Sequence, residues 1–198
     1  MVQGLEMVQG RKMCRYDGLF AGAAALEMTT VYLSLGSNMG DRAENIARAI
    51  AVLGQHRVRV RQESSLYETE PLEIKEQPWF LNCAIEAETE LSPERLMEVL
   101  LEIEREMGRE RRVPKGPRLI DMDILFYGSE VVQAAGLEIP HPRMAERKFV
   151  LVPLGEIAGQ VNHPVSLLTI AEMLEATPDQ SEVRKWRGKI PTAGERKS

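Results

Sequence analysis

The chain has 198 residues, of which 43% are hydrophobic and 28% charged, and its formal net charge is −5 at pH 7. These values are typical of a soluble globular domain, and the acidic balance argues against a nucleic-acid partner, because phosphate contacts usually require clustered positive charge. No apolar run reaches the roughly 20 residues of a membrane-spanning helix. Cys14 and Cys83 lack metal or redox spacing. We therefore expect a cytoplasmic monomer without a membrane or nucleic-acid partner.

The first residues differ in composition from the rest of the chain. The tetrapeptide Met-Val-Gln-Gly occurs twice within the first ten residues, and the apolar stretch that follows is too short for a signal peptide. We expect residues 1–28 to be a disordered or dispensable extension, with Met28 as the functional beginning. A single domain is expected over residues 29–178, followed by a polar, mobile tail over residues 179–198.

Hydrophobic alternation and capping signals predict six elements, in the order strand, helix, strand, strand, helix, strand. The strands are expected at residues 30–36, 56–67 and 79–89 and in the segment 116–126. The helices begin after Asp41 and Ser92, which are typical N-terminal caps, and they end at Gly54 and Gly108. This order indicates a ferredoxin-like fold, with an antiparallel sheet and helices on one face.

Further elements are predicted around this core. Val131–Val132 and Leu137–Ile139 suggest an added hairpin, and residues 167–176 suggest a C-terminal helix that ends before Pro178. Residues 69–78 form a long polar loop, and loops of this length inside a compact domain are often functional. The expected fold class is therefore α+β, an α/β sandwich with a ferredoxin-like βαββαβ core, an added hairpin and a C-terminal helix.

Asp121 and Asp123 form the most informative pair in the sequence. Alternate residues of a strand share a face, so the two carboxylates should lie about 7 Å apart and repel each other. The apolar residues Met122, Ile124 and Phe126 alternate with them. A divalent cation commonly relieves such repulsion, and all-oxygen ligation favours magnesium or manganese over zinc. The alternative is a surface strand with two solvated aspartates.

The segment before this strand is strongly basic. It contains one acid, Glu110, and five cations: Arg109, Arg111, Arg112, Lys115 and Arg118. Arginine forks bind phosphate oxygens, and magnesium neutralises the remaining charge, so this composition fits a polyphosphate ligand. The alternative is a solvated basic face. The chain has no Walker A motif and no dinucleotide-binding glycine motif, so side chains and metal would have to hold a nucleotide.

Aromatic and polar residues outside the basic segment could bind a flat ring. Phe80 and Asn82 share a strand face, and a heterocycle could stack on Phe80 and Phe149 while Asn82 pairs with its edge. The alternative is that both phenylalanines belong to the core. His141 lies between two prolines and is followed by two arginines within six residues, although a lone histidine is more often structural.

Together these segments resemble the 6-hydroxymethyl-7,8-dihydropterin pyrophosphokinase family of folate biosynthesis. The resemblance covers about residues 30–160. Its segments are Leu35–Asn38 with Asp41 and Arg42, Tyr67–Pro71, Gln77–Asn82, Gly116–Ile124, and Pro140–Met144 with Arg147 and Phe149–Leu151. The resemblance implies a ferredoxin-like fold and an ATP- and magnesium-dependent enzyme that transfers pyrophosphate from ATP to the hydroxymethyl oxygen of the pterin and releases AMP.

The resemblance also implies roles for individual residues. Asp121 and Asp123 would bind two magnesium ions and would be catalytic together with Arg109 and Arg111. ATP would be bound by Glu104, Arg111, Arg118, Ile124, His141 and Arg147. The pterin would be bound by Thr69, Pro71, Leu72 and Asn82, and between the rings of Phe80 and Phe149. Lys115 stands where some family members have tryptophan, and the arginine-rich loop is one residue shorter here.

Two other functions fit parts of the sequence. A ferredoxin-like RNA-binding module would share the fold, but this chain is acidic and lacks the aromatic strand motif of such modules. A small-molecule-sensing domain without turnover could use the same pocket, but it would not require paired aspartates beside an arginine-rich loop. At this length we expect no second pathway enzyme fused to the domain.

Overall fold

The computed structural model describes residues 28–72, 76–108 and 116–188. The predicted N-terminal extension before Met28 and the loop that carries Arg109 and Arg111 lie outside these residues. Along the described parts of the chain, no helix combines the length and the apolar character that crossing a membrane requires.

An antiparallel sheet forms the centre of the fold. Within the described residues its six strands are β1 (Thr29–Ser37), β2 (Val58–Glu63), β3 (Tyr67–Thr69), β4 (Phe80–Thr89), β5 (Asp121–Tyr127) and β8 (Val183–Lys185). They lie in the order β5-β1-β4-β3-β8, and β2 also pairs with β4. The predicted hairpin is formed by β6 (Val132–Ala134) and β7 (Leu137–Ile139). The ferredoxin-like arrangement is thus confirmed, with β2 and β3 together taking the place of one strand.

Two predicted helices cover one face of the sheet. α1 (Arg42–Leu53) begins after Asp41, whose side chain accepts a hydrogen bond from the backbone N–H of Glu44 at 3.1 Å. α2 (Pro93–Glu106) begins after Ser92, which caps the helix in the same way. The apolar stripe of α2 packs with α1 and with alternate residues of β1 and β4 to form the main core.

Two helices lie on the opposite face, so the prediction of helices on one face only is wrong. α3 (Lys148–Ala158) was not predicted; it packs on β4, and α4 (Ile170–Ala176) packs on α3. Their apolar residues form a second buried cluster with Phe126. α4 begins three residues later than predicted, because Thr169 and Glu172 form a reciprocal cap at its start.

The strand predicted over residues 56–67 is interrupted. Ser64 donates its backbone N–H to the carbonyl of Ala84 at 2.9 Å, but its side-chain Oγ, and not its carbonyl, accepts the Ala84 N–H at 3.0 Å. A serine hydroxyl has replaced a backbone acceptor of the ladder, which separates β2 from β3.

The segment after Asp179 is not wholly a mobile tail. Residues 183–185 form β8, which pairs with β3 in antiparallel register and places Arg184 opposite Glu68. The domain therefore extends beyond residue 178. The polar composition of this strand concealed it, because its pairing with β3 cannot be read from its own sequence.

A bulge in β5 changes which of its residues share a face. Leu33 lies opposite Ile124 and Tyr32 lies opposite Phe126, so Leu125 is an extra residue with no partner of its own. Phe126 consequently packs in the cluster beneath α3, whereas Ile124 packs in the main core. Simple alternation, which groups Phe126 with Ile124, is wrong beyond this point.

Candidate active site

A cavity of about 290 Å³ opens on the α3 side of the sheet, and its floor is built from strand residues in two rows. In the first row Gly36 of β1 lies between Asn82 of β4 and Asp121 of β5. In the second row Ser34 lies between β4 and Asp123. Because the two residues from the central strand are small, the sheet leaves space above them.

Gly36 is required by the close approach of its neighbour. A Cβ atom at this position would collide with the Oδ1 of Asn82. Asn82 is only 3% exposed, and its Nδ2 donates to the Oγ1 of the equally buried Thr69 at 2.6 Å. The glycine therefore allows the side-chain amide of Asn82 to approach β1 closely. The hydrogen bond from this amide to Thr69 of β3 fixes the orientation of the amide.

Asp121 and Asp123 both line this cavity, as their spacing in the strand predicts. Arg118 donates from Nη1 to the Oδ2 of Asp121 at 2.7 Å. Between the two aspartates, the backbone N–H of Met122 donates to the Oε1 of Glu104 at 2.7 Å. Glu104 thus ties α2 to the strand that presents both carboxylates.

The donor set of this pair fits magnesium better than zinc. No group of three histidine, cysteine or acidic side chains is placed to hold a metal ion in the described parts of the chain, whereas a structural zinc site requires four protein ligands. Mg²⁺ commonly takes one or two carboxylates and completes its octahedron with water and substrate phosphate oxygens. Asp121 and Asp123 provide that number of oxygen ligands at the edge of the cavity.

His141 contributes a neutral imidazole ring to the cavity. Its Nδ1 lies 3.2 Å from the backbone N–H of Arg143, and its Nε2 lies 3.4 Å from the Nη1 of Arg147, which can only donate; the tautomer decides which of these two donors the ring accepts from. Burial, followed by the charge of Arg147, lowers the pKa of His141 to about 4. At neutral pH the ring is therefore uncharged.

Two aromatic rings face the cavity, each beside an arginine. The guanidinium carbon of Arg118 lies 5.8 Å from the centroid of Phe80, and that of Arg147 lies 5.6 Å from the centroid of Phe149. Both rings line the cavity, and neither is fully buried. Phe149 also packs against the second apolar cluster, so the alternative of core residues is partly right for Phe149.

The predicted site residues fall into three groups. Those that line the one cavity are Thr69, Pro71, Leu72, Phe80, Asn82, Arg118, Asp121, Asp123, His141, Arg147 and Phe149. Arg109 and Arg111 lie outside the described residues. Glu104 and Ile124 are buried on the α1 and α2 side of the sheet and do not line the cavity, so their predicted contact with ATP gains no support from its geometry.

Among the described residues, five that line the cavity were not assigned to the site from the sequence: Ser34, Gly36, Glu70, Gln77 and Arg143. All but Ser34 lie inside the segments that carry the family resemblance. The signal for Ser34 and Gly36 was the alternation of small residues with Leu33 and Leu35, which indicates a face that packs less tightly than the core face.

Comparison with known proteins gives a consistent result. The family model described as 7,8-dihydro-6-hydroxymethylpterin-pyrophosphokinase (HPPK) matches residues 32–159. The chain is 45% identical over 159 residues to a 2-amino-4-hydroxy-6-hydroxymethyldihydropteridine pyrophosphokinase of Bacillus subtilis, an overlap that covers 80% of this chain and 90% of that protein. The Aquifex aeolicus protein of the same name is 41% identical over 138 residues, covering 70% and 86% of the two chains.

Other relatives are much longer. The folic acid synthesis protein fol1 of Pneumocystis carinii is 41% identical over 176 residues, which cover 89% of this chain but only 24% of that protein. Among solved structures, wild-type Plasmodium falciparum HPPK-DHPS matches with a TM-score of 0.60 at 16% identity, over 75% of this chain and 44% of that one. This chain thus spans a quarter to a half of these longer proteins, and the structural match supports the fold.

Proposed function

Because the chain belongs to the 7,8-dihydro-6-hydroxymethylpterin-pyrophosphokinase family, we propose that it transfers pyrophosphate from ATP to 6-hydroxymethyl-7,8-dihydropterin in folate synthesis. The products are AMP and the diphosphate ester of the pterin. The observation that carries the proposal is that paired aspartates, arginines and two aromatic rings line a single cavity. A polyphosphate and a flat heterocycle could therefore meet there.

The aromatic part of the cavity suits the pterin. Phe80 and Phe149 offer two ring faces, and stacking between them would fix the plane of the heterocycle. Asn82, held by Thr69, presents an oriented amide that can pair with the donors and acceptors on the edge of the ring. Pro71 and Leu72 line the same cavity, and we propose that their backbone groups also contact the edge of the ring.

The charged part suits the triphosphate. Arg118 and Arg147 can bind its oxygens with fork-shaped donors, and we propose that the uncharged ring of His141, which lines the same cavity, contacts the same ligand. We further propose that Arg109 and Arg111, which lie outside the described residues, also bind the triphosphate. Arg118 and Arg147 each also lie over a ring, so the charged and aromatic parts adjoin.

We propose that Asp121 and Asp123 hold two Mg²⁺ ions. Bound magnesium would neutralise charge on the phosphate oxygens of ATP. The side chains then mainly position the reactants: the rings align the hydroxymethyl oxygen with the β-phosphorus, and the arginines stabilise charge on the transferred group and on the departing AMP. The hydroxyl proton can pass to water or to a phosphate oxygen, so the proposal assigns no general base.

Nucleotide product analysis tests this function directly. The chain is incubated with ATP, Mg²⁺ and 6-hydroxymethyl-7,8-dihydropterin, and AMP is separated from ADP; reactions without pterin provide the control. We expect AMP that depends on the pterin. Formation of ADP would indicate transfer of a single phosphoryl group, and ATP binding without any turnover would favour a sensing domain. We further propose that the enzyme is a cytoplasmic monomer, which size-exclusion chromatography with light scattering would test for its oligomeric state.

A further inference from the structure

A second charged cluster lies beside the cavity, where α1, β3, β4 and β8 meet. Glu68 of β3 accepts hydrogen bonds on both carboxylate oxygens. Its Oε1 accepts from the Nη2 of Arg42 at 2.7 Å, and its Oε2 accepts from the Nε and Nη2 of Arg184 at 3.1 and 2.9 Å. Neither these three residues nor Trp79 appears among the described residues that line the cavity. The cluster is therefore adjacent to the proposed substrate site and separate from it.

The cluster holds both ends of one loop. At the first end, Glu68 directly precedes Thr69, and the backbone N–H of Glu70 donates to the carbonyl of Glu182 at 3.1 Å, next to β8. At the second end, Trp79 directly precedes the cavity residue Phe80. The carbonyl of Trp79 accepts from Arg42 at 2.7 Å, and its ring lies under the guanidinium of Arg184 at 4.6 Å.

Arg184 connects the two ends from β8, across the sheet edge, as Arg42 connects them from α1. One face of its guanidinium packs on the Trp79 ring, a cation–π contact, while its edge donates twice to Glu68. A lysine could supply the charge but not this combination of a flat face and a fork. Arg184 therefore orders residues that are separated in the chain but adjacent to the same cavity wall.

The ion pair between Arg184 and Glu68 is too exposed to contribute much to global stability. The side chain of Arg184 is 56% exposed and that of Glu68 is 20% exposed, and solvent screens pairs of this kind. The effect of Arg184 is expected to be local, as order in the described residues at the two ends of the loop. The family match ends at residue 159, well before β8, so nothing in the matched region assigns a role to this strand.

We propose that Arg184 is a positioning residue, through which β8 orders Thr69–Leu72 and Phe80, at the two ends of the loop, and so preorganises the heterocycle side of the cavity. The identity of the heterocycle rests on the proposed function. The effect of Arg184 on the order of these residues does not depend on that identity, and it can be measured without turnover.

Steady-state kinetics provide the first test. In Arg184→Ala we expect KM for the pterin to rise about tenfold, because loop order must then be gained on binding, while KM for ATP and kcat change less than about twofold. Arg184→Lys should lie between the wild type and Arg184→Ala. The matched control is Arg61→Ala, which removes another surface arginine of the same sheet, paired with Glu88. This control should leave all three constants unchanged.

Amide hydrogen exchange provides the second test, and it does not depend on activity. Peptides covering residues 67–72 and 79–82 should exchange faster in Arg184→Ala than in the wild type or in Arg61→Ala. Unchanged exchange, or an equal rise in KM for ATP and for the pterin, would overturn the positioning role. If the wild-type chain forms no AMP from ATP and the pterin, the proposed function fails, and the exchange result alone decides the role of Arg184.

Discussion

Arg118 donates from Nη1 to the Oδ2 of Asp121 at 2.7 Å, and its guanidinium lies beside the ring of Phe80. Its backbone is held by Asn38, which accepts the Arg118 N–H on Oδ1 at 2.8 Å and donates its own N–H to the Arg118 carbonyl at 3.2 Å. One well-anchored side chain therefore links the acidic side of the cavity to the aromatic side.

Replacing Arg118 should strongly reduce activity. We expect Arg118→Ala to lower kcat/KM for ATP by about 100-fold, because it removes a preorganised donor for phosphate oxygens. Arg118→Lys should recover only part of this loss, since a lysine is a point charge and cannot contact Asp121 and phosphate as a fork. The control is Arg95→Ala, which breaks another ion pair of i, i+3 spacing, with Glu98, on the exposed side of α2. A comparable loss in this control would contradict the assigned role.

Substitution of Asp123 should reduce activity, whereas substitution of Asp41 should reduce stability. Asp123→Ala is expected to lower turnover by about 1,000-fold or more while the chain stays folded, because it removes one of the two carboxylates that we propose as magnesium ligands. Asp41→Ala removes the cap of α1 and should lower the free energy of unfolding by about 1 kcal/mol while turnover is retained. Assays at saturating Mg²⁺, combined with urea denaturation, measure both quantities. A wild-type rate in Asp123→Ala would exclude the metal assignment.

The contact between Gly36 and Asn82 makes a further prediction. Gly36→Ala should displace the Asn82 amide from Thr69, destabilise the fold by about 1–3 kcal/mol and raise KM for the pterin at least about tenfold. Gly54→Ala is the matched control, since a Cβ there meets nothing within 4 Å and the backbone is right-handed helical. That substitution should be neutral or slightly stabilising. Similar effects of the two substitutions on KM would be evidence against the close-contact argument.

His141 should make stability fall as the medium becomes acidic. Its pKa is about 4 in the folded chain, below the ordinary value of 6.5, so between these values the unfolded chain binds a proton that the folded chain does not. Stability is therefore lost as the pH falls from about 6.5 towards 4. His163 shares the direction of this effect, because burial also lowers its pKa.

The comparison of wild type with His141→Gln isolates the contribution of His141. The difference in their free energies of unfolding should shift in favour of the variant between about pH 7 and about pH 5, because glutamine does not titrate. Urea denaturation at the two pH values measures this difference. A difference that is the same at both values would mean that His141 is not protonated more readily in the unfolded chain.

The elements of the βαββαβ core were readable from the sequence because their local signals agree with their environment. Ser92 and Pro93 mark the start of α2, and its apolar stripe matches the buried face. In α3 the local sequence signals do not favour the helix that forms. It contains Pro153 and has no side-chain cap at its start, and it is stabilised by packing against the sheet. Tertiary contacts have overridden the cost of a proline within the helix.

The site was partly readable for the same reason. Strand periodicity correctly places Asp121 with Asp123 on one face, as well as Phe80 with Asn82. Periodicity says nothing about neighbouring strands, so the row that joins Asn82, Gly36 and Asp121 depended on the register of the sheet. The position of Glu104 was also beyond sequence reasoning, because its partner is a backbone N–H of another element.

The extra residue in β5 has a consequence for changes in chain length. Leu125 and Phe126 are consecutive yet lie in the same apolar cluster, so deletion of Leu125 would leave each remaining side chain of the strand on its present face. Deletion of Met122 would instead send Asp121 and Asp123 to opposite faces. Tolerance to single-residue deletion should therefore change abruptly along this strand. It should be low at the cavity end, where a deletion would separate Asp121 from Asp123. It should be higher at the bulge, where the strand already contains one residue more than its partner requires.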